Sequence, residues 1–198
     1  MQGSNLRPSD QVSDGMGGLK QGEIASKEVV TNLSNDFVKI QKIDESRIKE
    51  SILNSHNCLI ETSLRNHGYP CMGCTICLLS ISNENYYVAN VGDTRCYLFR
   101  DNSWSQLSVD DLISPDEINI LSQCIGGNGE SFPKAHINKG RVKLSDVFLI
   151  ISDGIYRYVE LPNHLIDNCS LEKIPKLLAD QALKNGSTDD RSCILVTF

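Results

Sequence analysis

No stretch of this 198-residue chain is both long and apolar. Its apolar runs all fall well short of the roughly 20 residues that a membrane-spanning helix needs. The first residues, Met1 to Asn5, lack a basic segment followed by an apolar one, so we expect no export signal. These absences predict a protein of the cytoplasm with no membrane partner.

Positive charge is also scarce. The chain carries 19 Lys and Arg residues against 25 Asp and Glu residues, a formal net charge of −6. Its basic residues form no conspicuous cluster, which argues against nucleic acid or an anionic membrane as the main partner. If the substrate is phosphorylated, bound cations must supply the positive potential that attracts it.

The chain has eight cysteines but no export signal, which indicates a reducing compartment and free thiols used as small core residues. Cys71, Cys74 and Cys77 have a C-x-x-C-x-x-C spacing that can bind zinc or an iron–sulfur cluster. A fourth ligand at suitable spacing is missing, however, and on a strand Cys74 and Cys77 would point to opposite faces. We therefore interpret them as buried thiols and keep a metal or redox protein as an alternative.

The length fits one domain, and the hydrophobic pattern changes at Gly73. Before that point, apolar residues recur at helical spacing from Gly22 to Ile40. Ser34-Asn35 interrupts this pattern, so a single unbroken helix is not assured. Asp44 is a plausible N-cap for a second helix that ends near Gly68.

Beyond Gly73 the pattern indicates strands, and then a return to helices. Ser114-Pro115 has the pattern of a helix start, and Ser170 that of a cap on a helix ending at Asn185-Gly186. This order is not a strict alternation of strand and helix, so it predicts an α+β fold. The predicted strands cover residues 75–81, 86–91, 95–99, 136–144, 147–151 and 193–196, the first three as an antiparallel meander.

Four aspartates stand beside glycine-rich turns or strand ends: Asp14, Asp93, Asp153 and Asp189. Asp beside Gly is a common turn pair, and each alone has that simpler explanation. Together they predict strand ends that converge on one oxygen-rich pocket. Carboxylates at short range repel and raise each other's pKa, so such a pocket is costly without a cation. Hard ions such as Mg²⁺ or Mn²⁺ prefer these ligands.

Seven short motifs follow one another in an order that resembles a known family. They are Asp-Gly-Met-Gly-Gly at 14–18, Gly-Cys-Thr at 73–75, Gly-Asp-Thr-Arg at 92–95, Leu-Ser-Val-Asp-Asp at 107–111, Ile-Gly-Gly at 125–127, Asp-Val-Phe-Leu-Ile-Ile-Ser-Asp-Gly at 146–154 and Ser-Thr-Asp-Asp-Arg-Ser at 187–192. The chain resembles the bacterial form of the type 2C metal-dependent protein phosphatases over residues 13–198. Each motif alone is weak, but their order and spacing are specific.

The resemblance implies a four-layer sandwich: two stacked antiparallel sheets flanked by helices on both faces, with the family's N-terminal strands missing here. Residues 13–198 would form the type 2C phosphatase-like domain. Residues 1–12 would be a flexible or remnant segment.

The resemblance also implies roles for single residues. Asp14 would bridge two Mn²⁺ or Mg²⁺ ions, with the Gly15 carbonyl as a further ligand. Asp153 and Asp189 would hold one of those ions, directly or through water. Asp93, with Asp153, would resemble the ligands of a third, weaker ion.

The implied reaction is hydrolysis of phosphoserine and phosphothreonine in proteins. A water bridging two ions would attack phosphorus directly, so catalysis would depend on Asp14, Asp153 and Asp189 through that water. The substrate would be a phosphorylated protein, and the enzyme would oppose a serine/threonine kinase.

The match fails at several positions. Only thirteen residues precede Asp14, and Arg7 and Asp10 only faintly resemble the family's phosphate-binding Arg and a metal-site acid. Leu19 and Asp111 stand where members carry His, and a lost general acid typically costs about 10²–10⁴-fold in rate. His136 does not occupy a matching place. These departures leave open an alternative: a pseudophosphatase that acts as a binding or regulatory module.

Overall fold

A computed structural model describes residues 9–16, 21–39, 42–68, 70–114, 120–128, 132–168 and 170–198. The helices are α1 (Gly22–Lys39), α2 (Glu45–His67), α3 (Asp153–Tyr156), α4 (Leu165–Asn168) and α5 (Ile174–Lys184). The strands are β1 (Asp10–Val12), β2 (Gly73–Cys74), β3 (Ile76–Ser82), β4 (Asn85–Val91), β5 (Arg95–Arg100), β6 (Ser103–Gln106), β7 (Ile125–Gly126), β8 (His136–Arg141), β9 (Val147–Ile151) and β10 (Cys193–Thr197).

Two four-stranded antiparallel sheets form the centre of the molecule. The first sheet has the order β1-β3-β4-β8 and the second has the order β10-β9-β5-β6, while β2 and β7 form a small separate pair. In the first sheet Val12 lies opposite Cys77, and Ile76 opposite Val91. In the second sheet Ile151 lies between Cys193 and Arg95.

Three hydrophobic clusters fill the spaces around these sheets. Helices α1 and α2 bury residues such as Leu33 and Ile52 against Leu78 and Ala89 of the first sheet. A second cluster joins strands of the two sheets, and a third joins the second sheet to α3, α4 and α5. The predicted α+β class with antiparallel sheets is confirmed, and the order of the clusters agrees with helices on both outer faces.

The two long helices follow directly from local sequence. Helix α1 is continuous through Ser34-Asn35 because its buried residues, Ala25, Val29, Leu33 and Phe37, recur every four positions and form one stripe. Helix α2 begins and ends as predicted. Asp44 accepts a hydrogen bond from the Arg47 amide, and left-handed Gly68 donates its N–H to Leu64. Among the described residues, no helix is long and apolar enough to cross a membrane.

The predicted meander is wrong at its third strand. Strands β3 and β4 pair as expected, but β5 lies in the second sheet between β9 and β6. The cause is Gly92, whose φ of +97° turns the chain away from the first sheet. The prediction of a strand at residues 95–99 is confirmed, but the prediction that it continues the first sheet is wrong.

The expected flexible segment over residues 1–12 is corrected at its C-terminal end. Residues Asp10–Val12 form β1, which pairs antiparallel with β3 and buries Val12 between the sheets. Residues 1–8 lie outside the described part of the chain.

Two further predictions concern helix starts. The turn at Ser170 leads into a short 3₁₀ segment, Leu171–Lys173, and only then into α5, with no side-chain hydrogen bond from Ser170. The helix predicted from Ser114-Pro115 falls on residues 115–119, which lie outside the described residues.

Candidate active site

The strand registers bring the four predicted aspartates to one end of the sheets. Asp14 follows β1, and Asp93 lies in the connection between β4 and β5, so it passes from one sheet to the other. Asp153 comes directly after β9, and Asp189 shortly before its partner β10. Because Ile151 pairs with both Cys193 and Arg95, the chain segments beyond these three residues leave the second sheet together.

Thr75 holds the Asp14 turn in place. Its hydroxyl accepts a hydrogen bond from the Asp14 amide at 3.1 Å, and its own amide donates to the Asp14 carbonyl at 2.8 Å. The Ser13 hydroxyl donates to the Thr75 carbonyl at 2.6 Å. Thr75 therefore holds the backbone of Asp14 on both sides, through its side-chain hydroxyl and through its own amide.

The same hydroxyl reaches the turn that carries Asp93. Thr75 Oγ1 lies 2.6 Å from Thr94 Oγ1 in the buried interior. A Cβ on Gly92 would lie 2.7 Å from Thr75 Cγ2, so only glycine allows this turn to approach so closely. The Asp14 and Asp93 turns thus share one support.

A second close approach joins the Asp153 and Asp189 segments. A Cβ on Gly154 would lie 2.1 Å from the Asp190 carbonyl oxygen and 3.3 Å from Asp189 Cβ. The Ser187 hydroxyl donates to the Gly154 carbonyl at 2.7 Å, and the Ser152 hydroxyl donates to the Asp190 carbonyl at 3.1 Å. Gly154 is therefore part of the frame that brings the two aspartates side by side.

Gly15 is packed as tightly as Gly154. A Cβ at this position would lie 2.3 Å from the Gly22 carbonyl carbon, at the first residue of α1. The adjacent Met16 amide donates to the Gly73 carbonyl at 3.1 Å. The peptide carbonyl of Gly15, a predicted ligand, is thus held between α1 and β2.

The ionisation of Asp14 depends on the other three carboxylates. Burial, repulsion by Asp153, a hydrogen bond with Asp153, and the charges of Asp189 and Asp93 raise the pKa of Asp14 to about 8. A carboxylate in this environment keeps its proton near neutral pH unless a cation compensates its charge.

The cluster also contains a basic residue, Arg157, which was not predicted from the sequence. Arg157 Nη2 lies 3.1 Å from Asp93 Oδ2 and 3.1 Å from Asp153 Oδ2. The Tyr156 hydroxyl donates to the same Asp93 oxygen at 2.9 Å. Burial raises the pKa of Asp93, although Tyr156 and Arg157 oppose that effect. The spacing of Asp153 and Arg157 is the i,i+4 spacing of a helical ion pair and is the one signal in the sequence for this contact.

Arg95 supports this cluster from the side. Its guanidinium makes paired hydrogen bonds to Asp110, the shortest at 2.7 Å, and lies 3.7 Å from the centre of the Tyr156 ring. Asp110, from the motif at 107–111, thus anchors Arg95. Through Arg95 it fixes the ring whose hydroxyl contacts Asp93.

Asp111 has a structural role in place of the expected His. One oxygen of its buried carboxylate accepts from the Gly92 amide at 2.8 Å, and the other lies 2.7 Å from both Gln123 Nε2 and His136 Nε2. His136, which matches no histidine of the family, is a partner of this carboxylate. Asp111 therefore secures the turn that precedes Asp93.

Of Arg7, Asp10 and Leu19, only Asp10 lies within the described residues. It stands at the start of β1, four residues before Asp14 and about 13 Å from it along extended chain. Arg7 and Leu19 lie outside the described residues.

The cysteine cluster is divided between two cores, as predicted. Cys71 and Cys74 belong to the core beneath α1 and α2, whereas Cys77 belongs to the core between the sheets. Burial raises the pKa of the Cys74 thiol to about 12 and raises that of Cys77 as well. Cys74 and Cys77 are therefore poor nucleophiles near neutral pH, and their placement in different cores does not suit a shared metal ion.

The donor set suits a hard divalent cation. In the described part of the chain, no group of three or more His, Cys, Asp or Glu side chains is arranged to coordinate one ion directly. Mg²⁺ sites commonly use one or two carboxylates and keep several waters. Asp14 and Asp153, within hydrogen-bonding reach of each other, supply such a pair, and Asp189 lies nearby with its side chain exposed.

The comparison with known families decides the classification. The sequence profile of the family described as "Protein phosphatase 2C" matches residues 4–119, more than half of the chain. The chain belongs to the protein phosphatase 2C family. The resemblance predicted from the seven motifs is confirmed, and with it membership of a class of hydrolases that act on phosphorylated proteins.

Named relatives and solved structures agree. This phosphatase is 28% identical over 211 residues to protein phosphatase PhpP of Streptococcus pneumoniae, covering 94% of this chain and 84% of that protein. The structure of serine/threonine phosphatase Stp1 from Staphylococcus aureus superposes with a TM-score of 0.84 at 25% identity, covering 96% of this chain and 83% of Stp1. The catalytic domain of PstP, solved in complex with 2 manganese ions, has the same fold at 19% identity and a TM-score of 0.79, covering 96% of this chain and 91% of PstP.

Proposed function

We propose that this phosphatase hydrolyses phosphoserine and phosphothreonine in proteins, using a water held between two Mn²⁺ or Mg²⁺ ions at Asp14, Asp153 and Asp189. The observation that carries the proposal is the convergence of four carboxylates: Asp14 lies within hydrogen-bonding reach of Asp153, and Asp153 is packed through Gly154 against the Asp189 segment. Relatives named as serine/threonine phosphatases support the substrate class.

Four residues would hold the two ions. The Asp14 carboxylate, with its backbone held by Thr75, and the Gly15 carbonyl would be ligands of the ions. Asp153 and Asp189 would hold one of the ions. When bound, a pair of divalent cations lowers the pKa of a bridging water and stabilises the attacking and leaving oxygens of an in-line displacement.

A side-chain nucleophile is not required in this scheme. Desolvation raises the pKa values of buried Cys74 and half-buried Cys193 to about 12, so neither forms a thiolate near neutral pH. The substrate phosphate would approach from solvent at the end of the sheets where Asp189 is exposed. We further propose that the enzyme opposes a serine/threonine kinase in the cytoplasm.

The substitution Asp153→Asn tests this assignment. It keeps the size of the side chain and removes the charge that would hold an ion. We expect hydrolysis of a phosphothreonine peptide with Mn²⁺ to fall more than about a hundredfold, because even changes to residues around metal ligands cost 10–100-fold. The matched control is Asp180→Asn on α5, where an exposed carboxylate pairs with Lys176 at 3.0 Å.

The control should keep full activity, and both variants should keep the wild-type circular dichroism spectrum. Unchanged turnover in Asp153→Asn would reject the site. Calorimetric titration of the wild type with Mn²⁺ separates the alternative, since metal binding without hydrolysis of the peptide or a chromogenic phosphate ester would identify a pseudophosphatase. Within the described residues, Asp111 is the reason to test this alternative. It stands where the family has His, and its carboxylate accepts a hydrogen bond from the Gly92 amide.

A further inference from the structure

Arg157 lies between two of the carboxylates at the active site. One nitrogen, Nη2, is 3.1 Å from an oxygen of Asp93 and 3.1 Å from an oxygen of Asp153. The exposed fractions of these side chains are 21% for Arg157, 8% for Asp93 and 18% for Asp153. A largely buried guanidinium thus already neutralises this side of the acidic cluster.

The position of Arg157 is fixed by its neighbours. Its amide donates to the Asp153 carbonyl at 3.2 Å at the end of α3. The preceding residue, Tyr156, is held by the Arg95 guanidinium 3.7 Å from its ring and by its own hydroxyl on Asp93. A short helix anchored at both ends therefore presents the guanidinium to the gap between Asp93 and Asp153.

Asp93 Oδ2 accepts from two donors at once, the Tyr156 hydroxyl at 2.9 Å and Arg157 Nη2 at 3.1 Å. A metal ion on that oxygen would have to displace at least one of them. An arginine side chain keeps its charge at any accessible pH, so it would repel a divalent ion placed beside it. The residues present here therefore do not fit a third cation between Asp93 and Asp153.

We propose that the Arg157 guanidinium is a built-in substitute for a third metal ion, so that the centre holds two divalent cations and Asp93 is a positioning residue rather than a ligand. This inference rests on the proposed function, since it concerns the same centre. The formal charges agree with it. Four carboxylates and one guanidinium leave about three negative charges. Two divalent cations exceed that charge by one, which leaves a net positive centre for a phosphate dianion.

The test counts Mn²⁺ ions rather than turnover. Isothermal titration calorimetry, together with the electron paramagnetic resonance signal of free Mn²⁺, gives the number of ions bound per chain. We expect two for the wild type, two for Arg157→Lys, which keeps the charge, and three for Arg157→Gln, which removes it. Adding Asp93→Asn to Arg157→Gln should return the count to two.

Asp93→Asn alone provides a second test that does not depend on the folding of Arg157→Gln. We expect this variant to bind two ions, like the wild type. Three ions on the wild type, or an unchanged count in folded Arg157→Gln, would overturn the inference. Failure of the proposed function has a different signature: two ions bound without hydrolysis would reject the enzyme and still support the built-in cation, whereas no bound ion would reject both.

Discussion

Burial among three other carboxylates sets the ionisation of Asp14, and the sign of the resulting pH dependence can be worked out. Its pKa is near 3.8 in the unfolded chain and about 8 in the folded protein. Between these values the folded state binds the extra proton, so the free energy of unfolding falls as pH rises through this window. The binding of Mn²⁺ needs the deprotonated carboxylate and should strengthen over the same range.

We therefore expect metal-free protein to lose stability from pH 5 to pH 8, and Asp14→Asn to lose less. Urea unfolding in the presence of a chelator measures both. The difference between the two profiles separates the contribution of Asp14 from that of the other titratable groups. Parallel profiles would show that the Asp14 carboxyl is not perturbed in this way.

At the residue scale, the aspartates could be predicted and their basic partner could not. Asp14 and Asp153 each precede a glycine next to a strand, and this signal can be recognised from neighbouring residues in the sequence. Arg157 meets Asp93 from 64 positions away, a contact that depends on β5 crossing to the second sheet. The predicted roles of the four aspartates and Gly15 in binding metal remain predictions.

At the scale of secondary-structure elements, one glycine joins two segments of the site. A Cβ at Gly154 would collide with the Asp190 carbonyl, so Gly154→Ala must push α3 away from the Asp189 loop. We expect a loss of about 1–3 kcal/mol in stability, the usual cost of overpacking, and weaker Mn²⁺ binding.

The matched control is Gly68→Ala at the end of α2. A Cβ there would meet nothing within 4 Å, but the φ of +78° strains any other residue. This variant should lose about 1–2 kcal/mol of stability and bind Mn²⁺ like the wild type. Equal metal affinity in both variants would refute the idea that Gly154 positions the site.

The elements themselves were predicted unevenly, for physical reasons. Helices α1 and α2 have local signals, a stripe of apolar residues and an Asp cap, and their bounds were close. Strand β1 has only three residues and a single buried side chain, Val12, so its sequence shows no strand pattern. It is a strand because it pairs with β3, a contact between residues far apart in the sequence. The sheet that β5 joins depends on Gly92, whose positive φ a strand pattern does not reveal.

At the scale of the whole molecule, a buried ion pair fastens the second sheet to the first. Arg100 of β5 donates to both oxygens of Asp146, at 2.8 Å and 2.6 Å, and to the Arg141 carbonyl of β8 at 2.8 Å. The Asp146 side chain is fully buried. Burial alone would raise its pKa, but the Arg100 guanidinium and the Lys143 amide outweigh that effect and lower it.

We expect Asp146→Asn to reduce the free energy of unfolding by about 1.5–3 kcal/mol, because it weakens hydrogen bonds to a charged group. Since the folded pKa is depressed, the stability that Asp146 contributes is present at neutral pH and is lost as the solution becomes acidic. Urea unfolding at pH 7 measures the effect, and Mn²⁺ affinity should not change. Asp101→Asn, at an exposed carboxylate, is the control and should stay within about 0.5 kcal/mol of the wild type. A similar loss in both variants would contradict the role given to this pair.

The hydroxyl of Thr75 has a consequence for how ligands meet this protein. It secures two turns at once, those of Asp14 and of Asp93. Each turn has its own hydrogen bond to this one oxygen, so both turns are held in place before any ligand arrives. The conformational entropy of these turns is lost during folding. Binding of ions and phosphate therefore does not have to order the turns, and affinity is higher for that reason.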